Sequence, residues 1–217
     1  MHNYLLQFDF DNTMTIGNVS EKLHEKFGPD SWVSIHSEYI SNQISVEESN
    51  ILSFKDFNVS NDKINNYILK NVHFRDGIID FIEYITSKNF NYKIVSSGVD
   101  FYIFSSLKMI GNYFREDDVI SGESVKTKSG FNVKYCDPDF NEINNDFKYK
   151  HTQFNKNQYE KIIYFGDSHT DIKSAEISDI IFATDELSTY LKSKNIDHYY
   201  FDNFNDVTSI FKSELCL

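Results

Sequence analysis

The chain has 217 residues, 40% of them apolar and 16% aromatic, which suits one buried core with a modest insertion and excludes a disordered chain. Its formal net charge of −12 argues against a basic nucleic-acid surface, so any anionic ligand must find local positive charge from a metal, a lysine or a helix N-terminus. Cys136 and Cys216 lie far apart and form no Cys-x-x-Cys pair, so both are expected as reduced thiols in a cytoplasmic protein.

The first apolar run is Tyr4–Phe8, short and rich in large apolar side chains, and it predicts a buried strand. No charged and apolar leader precedes it, so no signal peptide is expected, and no run of about 18 apolar residues predicts a membrane helix. Residues 17–72 hold no clear strand but several helical segments, among them Val19–Phe27 and Lys63–Leu69. A helical detour of this length after the first strand reads as an inserted cap, with residues 1–16 and 73–217 forming the core domain. Residues 77–88 carry Ile78, Phe81, Ile82 and Ile85 at helical spacing, and Tyr92–Val95 predicts the next strand. A helix over 100–110 follows. Residues 119–148 are polar, contain the turn signal Ser129-Gly130, and read as a hairpin or a long loop. Ile162–Phe165, Ile180–Ala183 and His198–Phe201 predict further strands, alternating with helices over 171–178, 186–194 and 205–215. The alternation predicts an α/β fold, a doubly wound and mostly parallel sheet with helices on both faces and a small helical cap inserted.

Ligands of such sheets bind beyond the carboxyl ends of the strands, and the polar residues of interest fall there. The first strand ends in Asp9-Phe10-Asp11-Asn12-Thr13, where both acids can reach one site. The second ends in Ser96-Ser97-Gly98, whose hydroxyls and amides can hold phosphate oxygens at a strand-to-helix junction. The third ends in Gly166-Asp167-Ser168-His169-Thr170-Asp171. Taken singly, each is also an ordinary loop or helix cap. Taken together, they place several carboxylates at one point. There they repel and raise each other's pKa unless a cation sits among them, and hard oxygen donors suit Mg²⁺.

These motifs resemble those of the haloacid-dehalogenase-like superfamily of aspartate-nucleophile phosphatases. Asp-x-Asp-x-Thr is matched by Asp9, Asp11 and Thr13, the strand-end serine by Ser96 with Ser97 as its neighbour, and Gly-Asp-x-x-x-Asp by Gly166, Asp167 and Asp171. The cap position is like that of the phosphoserine-phosphatase-like branch. The resemblance implies an Mg²⁺-dependent phosphatase for a small-molecule phosphate ester, working through an aspartyl-phosphate. Asp9 would be the nucleophile and Asp11 the general acid and base. Asp9, the Asp11 carbonyl and Asp167 would ligate Mg²⁺, with Asp171 orienting the metal shell. Ser96, Ser97, Gly98 and Thr13 would bind phosphate. The motif also requires a lysine near a helix start. Of Lys148, Lys150 and Lys156, Lys150 is selected because His151–Phe154 continues as a helix from it, with Lys148 the second choice.

Ser96–Tyr102, Gly166–Asp171 and Phe182–Asp185, with Arg75-Asp76-Gly77, look more closely like the methionine-salvage phosphatase branch. That branch has Ser-Gly-Gly where this chain has Ser96-Ser97-Gly98, and a cysteine-rich stretch where only Cys136 stands, so the resemblance carries chemistry rather than substrate. Substrate choice is expected from the cap, through Glu21, His24, Trp32, His36 and Tyr39, Glu21 resembling the cap acid that holds an amino group in phosphoserine phosphatases. The alternatives are a phosphotransferase or phosphomutase of the same superfamily and a non-catalytic phospholigand-binding protein. Neither nucleic acid nor membrane is an expected partner, and a monomer or homodimer is expected.

Overall fold

The computed structural model describes residues 3–213 and 215; Cys216 lies outside the described residues. Strand β1 (Tyr4–Phe8) is buried at every position. A parallel strand covered on both faces has no solvent side for a polar residue, so Gln7 needs partners. It finds them in helix α7 (Phe147–Lys156), donating to Thr152 Oγ1 at 2.6 Å and accepting from Asn155 Nδ2 at 2.9 Å.

Four helices follow β1: α1 (Val19–Phe27), α2 (Ser31–Ile40), α3 (Val46–Lys55) and α4 (Asn61–Asn71). Their starts are written locally. The Asn18 side chain accepts from Glu21 N, Ser45 and Glu48 form a reciprocal capping box, and Ser60 accepts from Lys63 N. Helix α2 has no fully buried residue. The chain then returns through α5 (Ile78–Ser87) to β2 (Asn91–Val99), α6 (Asp100–Leu107), β3 (Val119–Lys126), β4 (Phe131–Cys136) and β5 (Glu142–Ile143). After α7 come β6 (Lys161–Gly166), α8 (Ile172–Glu176), β7 (Ile180–Ala183), α9 (Asp185–Ser193), β8 (Tyr199–Tyr200) and α10 (Phe204–Ser213).

The eight strands form one sheet in the order β5-β4-β3-β2-β1-β6-β7-β8. Pairs from β3 through β8 are parallel, while β3–β4 and β4–β5 are antiparallel. The polar stretch 119–148 is therefore a hairpin with a short third strand, turning at Ser129-Gly130, and it extends the parallel sheet. Register places Phe8 opposite Phe165 and Phe165 opposite Phe182. Their rings stack across the sheet at 4.4 and 4.9 Å, and Phe81 of α5 with Phe204 and Phe211 of α10 covers them. Tyr164, Ile181 and Ala183 point to the other face and pack with Ala175 of α8 and Leu187 and Leu191 of α9.

Strand β1 has β2 on one side and β6 on the other, so the sheet reverses direction of winding at β1. The crevice beyond its carboxyl end is where such a sheet places a ligand.

Candidate functional site

Asp9 is the first residue past β1, and its N–H donates to the Phe165 carbonyl at 2.9 Å, which fixes it level with the end of β6. Asp167 is the first residue past β6. Asp171 comes back to the same point through a 3₁₀ turn over His169–Asp171. Carboxylate oxygens of Asp9, Asp167 and Asp171 lie within 4.8 Å of one another, and all three side chains are buried. Gly166 makes this approach possible, since a Cβ there would stand 2.7 Å from Asp171 Cγ.

Lys148 Nζ lies 2.5 Å from Asp171 Oδ1 and 3.2 Å from Asp9 Oδ2. This overturns the selection of Lys150. Helix α7 starts at Phe147, earlier than the sequence suggested, so Lys148 in its first turn faces the carboxylates. Lys150, two residues on and so about 200° round the helix, lies beside Asp137 and Asp139, away from the site.

The two oxygens of Asp171 are filled. Oδ1 accepts from Lys148 and from Tyr164 Oη at 2.6 Å, and Oδ2 from the amides of Asp167 and Ser168 and from Ser168 Oγ. Burial alone would raise Asp171, but Lys148 and these donors outweigh it and hold the carboxyl below its usual range. Burial would equally lower Lys148, and the Asp171 and Asp9 carboxylates reverse that and raise it. Asp9 is raised by burial, against the pull of Lys148 and a hydrogen bond from Ser96. Asp167 is raised well above the usual range by burial, then by Asp171 and Asp9, with Thr13 Oγ1 donating to it at 3.1 Å. One ammonium serves three carboxylates here, and two of them remain strained as anions. The donor set is therefore short of positive charge, all-oxygen and preassembled, which fits a hard divalent cation.

Asp11 is held apart from this cluster. Its Oδ1 accepts from Val19 N at 2.6 Å and its Oδ2 from Tyr102 Oη at 2.8 Å. Burial, eased by these two donors, pushes it up to about 7, so it can hold and release a proton near neutrality. Tyr102 reaches it across Gly98, where a Cβ would stand 2.5 Å from the tyrosine oxygen.

The structure brings together Asp9, Asp11, Ser96, Gly98, Lys148 and Asp167 around one cavity of about 450 Å³, which Glu21, His24, Trp32, His36 and Tyr39 also line. Thr13 sits beneath it, buried against Asp167. Ser97 borders the cavity, but its hydroxyl donates to Glu47 Oε1 of α3 at 3.2 Å and its carbonyl accepts from Asn50 and Tyr135. It ties β2 to α3 rather than facing Asp9. Tyr102 and Tyr164 had no assigned role in the sequence reading. A buried tyrosine hydroxyl needs a partner, and that was the available signal for both. Arg75 braces the loop after β1 by donating twice to the Asn12 carbonyl, at 2.6 and 3.0 Å, where Asn12 adopts a left-handed φ of 56°.

No family model matches the chain. It is 27% identical over 207 residues to the 2-hydroxy-3-keto-5-methylthiopentenyl-1-phosphate phosphatase of Bacillus velezensis, covering 94% of this chain and 87% of that one. The protein of the same name from Bacillus cereus is 25% identical, covering 94% of each. A solved phosphoserine phosphatase, described as a phospho-aspartyl intermediate analogue, superposes with a TM-score of 0.68 at 15% identity, covering 98% of this chain and 99% of that one. The fold is that of a haloacid-dehalogenase-like phosphatase. Here the acids that follow β1 and β6 converge beyond the carboxyl end of β1. Among the described residues no helix is long and apolar enough to cross a membrane.

Proposed function

We propose that the chain hydrolyses a small-molecule phosphate monoester in an Mg²⁺-dependent reaction through an aspartyl-phosphate. One observation carries this reading. Asp9 stands at the switch point of the sheet, 3.2 Å from a buried lysine and in the same carboxylate cluster as Asp167, with a proton-holding Asp11 two residues on.

Asp9 and Asp167 side chains and the Asp11 carbonyl would hold Mg²⁺, which when bound supplies the positive charge the cluster lacks and draws charge from the phosphoryl oxygens. Asp9 Oδ attacks phosphorus as the ester P–O bond breaks, and Asp11 gives its proton to the leaving oxygen. Asp11 then takes a proton from the water that attacks the aspartyl-phosphate, which releases inorganic phosphate and restores Asp9. Lys148 orients Asp9 and opposes the rise that burial gives its pKa, and Asp171 acts through Lys148 and the 167–168 amides. Ser96, whose Oγ accepts from the Gly98 amide at 3.1 Å, binds phosphoryl oxygens, and charge neutralisation with positioning is most of what phosphoryl transfer requires. Helices α1–α4, within residues 17–72, act as a cap whose Glu21, His24, Trp32, His36 and Tyr39 meet the leaving group.

The test is phosphate release from p-nitrophenyl phosphate with Mg²⁺ or EDTA, for the native chain and Asp9→Asn. Mg²⁺-dependent release that Asp9→Asn abolishes supports the reading. Release that survives either removal refutes it. The first natural ester to try is 2-hydroxy-3-keto-5-methylthiopentenyl-1-phosphate, the compound after which the Bacillus relatives are named.

A further inference from the structure

The cap side of the cavity is aromatic. His24 and Trp32 stack at 5.5 Å with planes 9° apart, Trp32 and His36 stack at 5.0 Å, and Tyr39 lies 5.7 Å from His169 of the core. Helix α3 contributes Val46, Ser49, Asn50 and Ser53, all uncharged.

The charges are one-sided. Asp9, Asp11, Glu21, Asp167, Asp185 and Glu186 all line the cavity, and Lys148 is its one lysine or arginine among the described residues. Lys148 is already engaged by Asp9 and Asp171. Arg75 lies outside the lining and is spent on the Asn12 carbonyl and Asp185. The imidazoles of His36 and His169 have their own acids, His36 acting on Glu21 and His169 lying 3.5 Å from Glu186. A dianionic phosphoryl group finds compensation at Lys148 and the cation site. A second anion, on the leaving group, finds no unengaged lysine or arginine in a lining that carries six carboxyl side chains.

We infer that the leaving alcohol carries no carboxylate, and that the cavity selects a neutral group whose apolar or π face lies on Trp32 and His36. This rests on the phosphatase reading and narrows it.

The test uses 4-carbamoylphenyl phosphate and 4-carboxyphenyl phosphate, which match in shape and differ by one charge. With Mg²⁺ present, the carboxylate is expected to show a KM higher by about tenfold or more. The gap should narrow in Glu21→Gln and in 1 M salt, where the Debye length falls to about 3 Å. Trp32→Ala should raise the KM of the carbamoyl ester several-fold, about the worth of an aromatic contact, while the inhibition constant of inorganic phosphate moves less. Trp32→Phe, which keeps a ring, should recover most of the loss. Equal KM values for the two esters, or tighter binding of the carboxylate, overturn the inference while leaving the phosphatase reading intact. No release from any ester overturns that reading instead. Calorimetric titration of the same two compounds then still decides the inference, because equal affinities or no binding of the neutral one would sink it.

Discussion

Replacing Lys148 by methionine keeps the length and apolar stem of the side chain and deletes its charge. At an effective dielectric of about 20, an ammonium 3.2 Å from Asp9 and 2.5 Å from Asp171 gains roughly 5–7 kcal/mol of gross attraction from each. Desolvation cancels much of this, and loss of one partner from a buried pair costs a net of about 3–5 kcal/mol. Lys148→Met should lose that much stability in urea unfolding at pH 7. Lys150→Met, on the same helix but with its side chain away from the cluster, should stay within about 0.5 kcal/mol. The gap should close in acid. Lys148 holds Asp171 below the usual carboxylate range, and a depressed carboxyl gives stability that is present above its unfolded pKa and lost as pH falls through the folded one. Turnover of p-nitrophenyl phosphate should fall about 10²–10³-fold in Lys148→Met, the scale of losing one preorganised charge. Equal losses in the two variants, or an unchanged unfolding midpoint for Lys148→Met, would refute the assignment of the lysine.

Gly166→Ala drives a methyl group against an Asp171 side chain that its donors hold in place, and should cost about 1–3 kcal/mol and displace Asp167, read as a higher Mg²⁺ requirement for turnover. His24 is buried between α1 and α3, and burial lowers it to about 4. The unfolded chain takes up a proton near pH 6.5 that the folded chain refuses, so about 3 kcal/mol of stability is lost as pH falls from 6.5 to 4. His24→Phe, flanked by Phe54 and Phe57, should flatten that slope in unfolding titrations, and an unchanged slope would show that another group causes it. Tyr102→Phe removes one of the two donors to the Asp11 carboxyl. It should slow alkyl phosphates about tenfold, because they need a proton on the leaving oxygen, and slow p-nitrophenyl phosphate much less. A uniform loss across both ester types would mean that the hydroxyl supports the fold and not the acid.

Much of the site floor was legible because it is written in a few short local patterns. Tyr4–Phe8, Ile162–Phe165 and Ile180–Ala183 are runs too short for helices and too apolar for loops, and each became a strand at or within a residue of its predicted ends. Parallel alternation then brings their carboxyl ends together without further information. The lysine failed for a reason of phase. Side chains two apart on a helix point in nearly opposite directions, and the start of α7 depends on Glu47, which accepts from Phe147 N at 3.1 Å across 100 residues of sequence. No local signal carries that bond. Ser97 failed in the same way, since its partners Glu47, Asn50 and Tyr135 arrive from α3 and β4. Strand β8, Tyr199–Tyr200, and helix α6, which ends at Leu107, are both shorter than their patterns predict.

The site is thus assembled from two parts held with different strength. Asp9 and Asp167 follow the ends of the central strands β1 and β6, whose Phe8 and Phe165 rings stack, and buried Lys148 of α7 and Asp171 are tied to them, so moving any of them disturbs the core. The wall is different. Helix α2 carries Trp32, His36 and Tyr39 yet has no fully buried residue, and Tyr39 meets the core through a long contact of 3.4 Å to His169. Segments with little buried apolar contact open locally at a fraction of the global cost. An opening of α2 would admit an ester and free phosphate while Asp9, Asp167 and Lys148 stay in register, and amide exchange faster in α2 than in β1 would show it. It also means that substitutions in α2 can change which alcohol is accepted without disturbing the chemistry, because they act on a surface that the sheet does not brace.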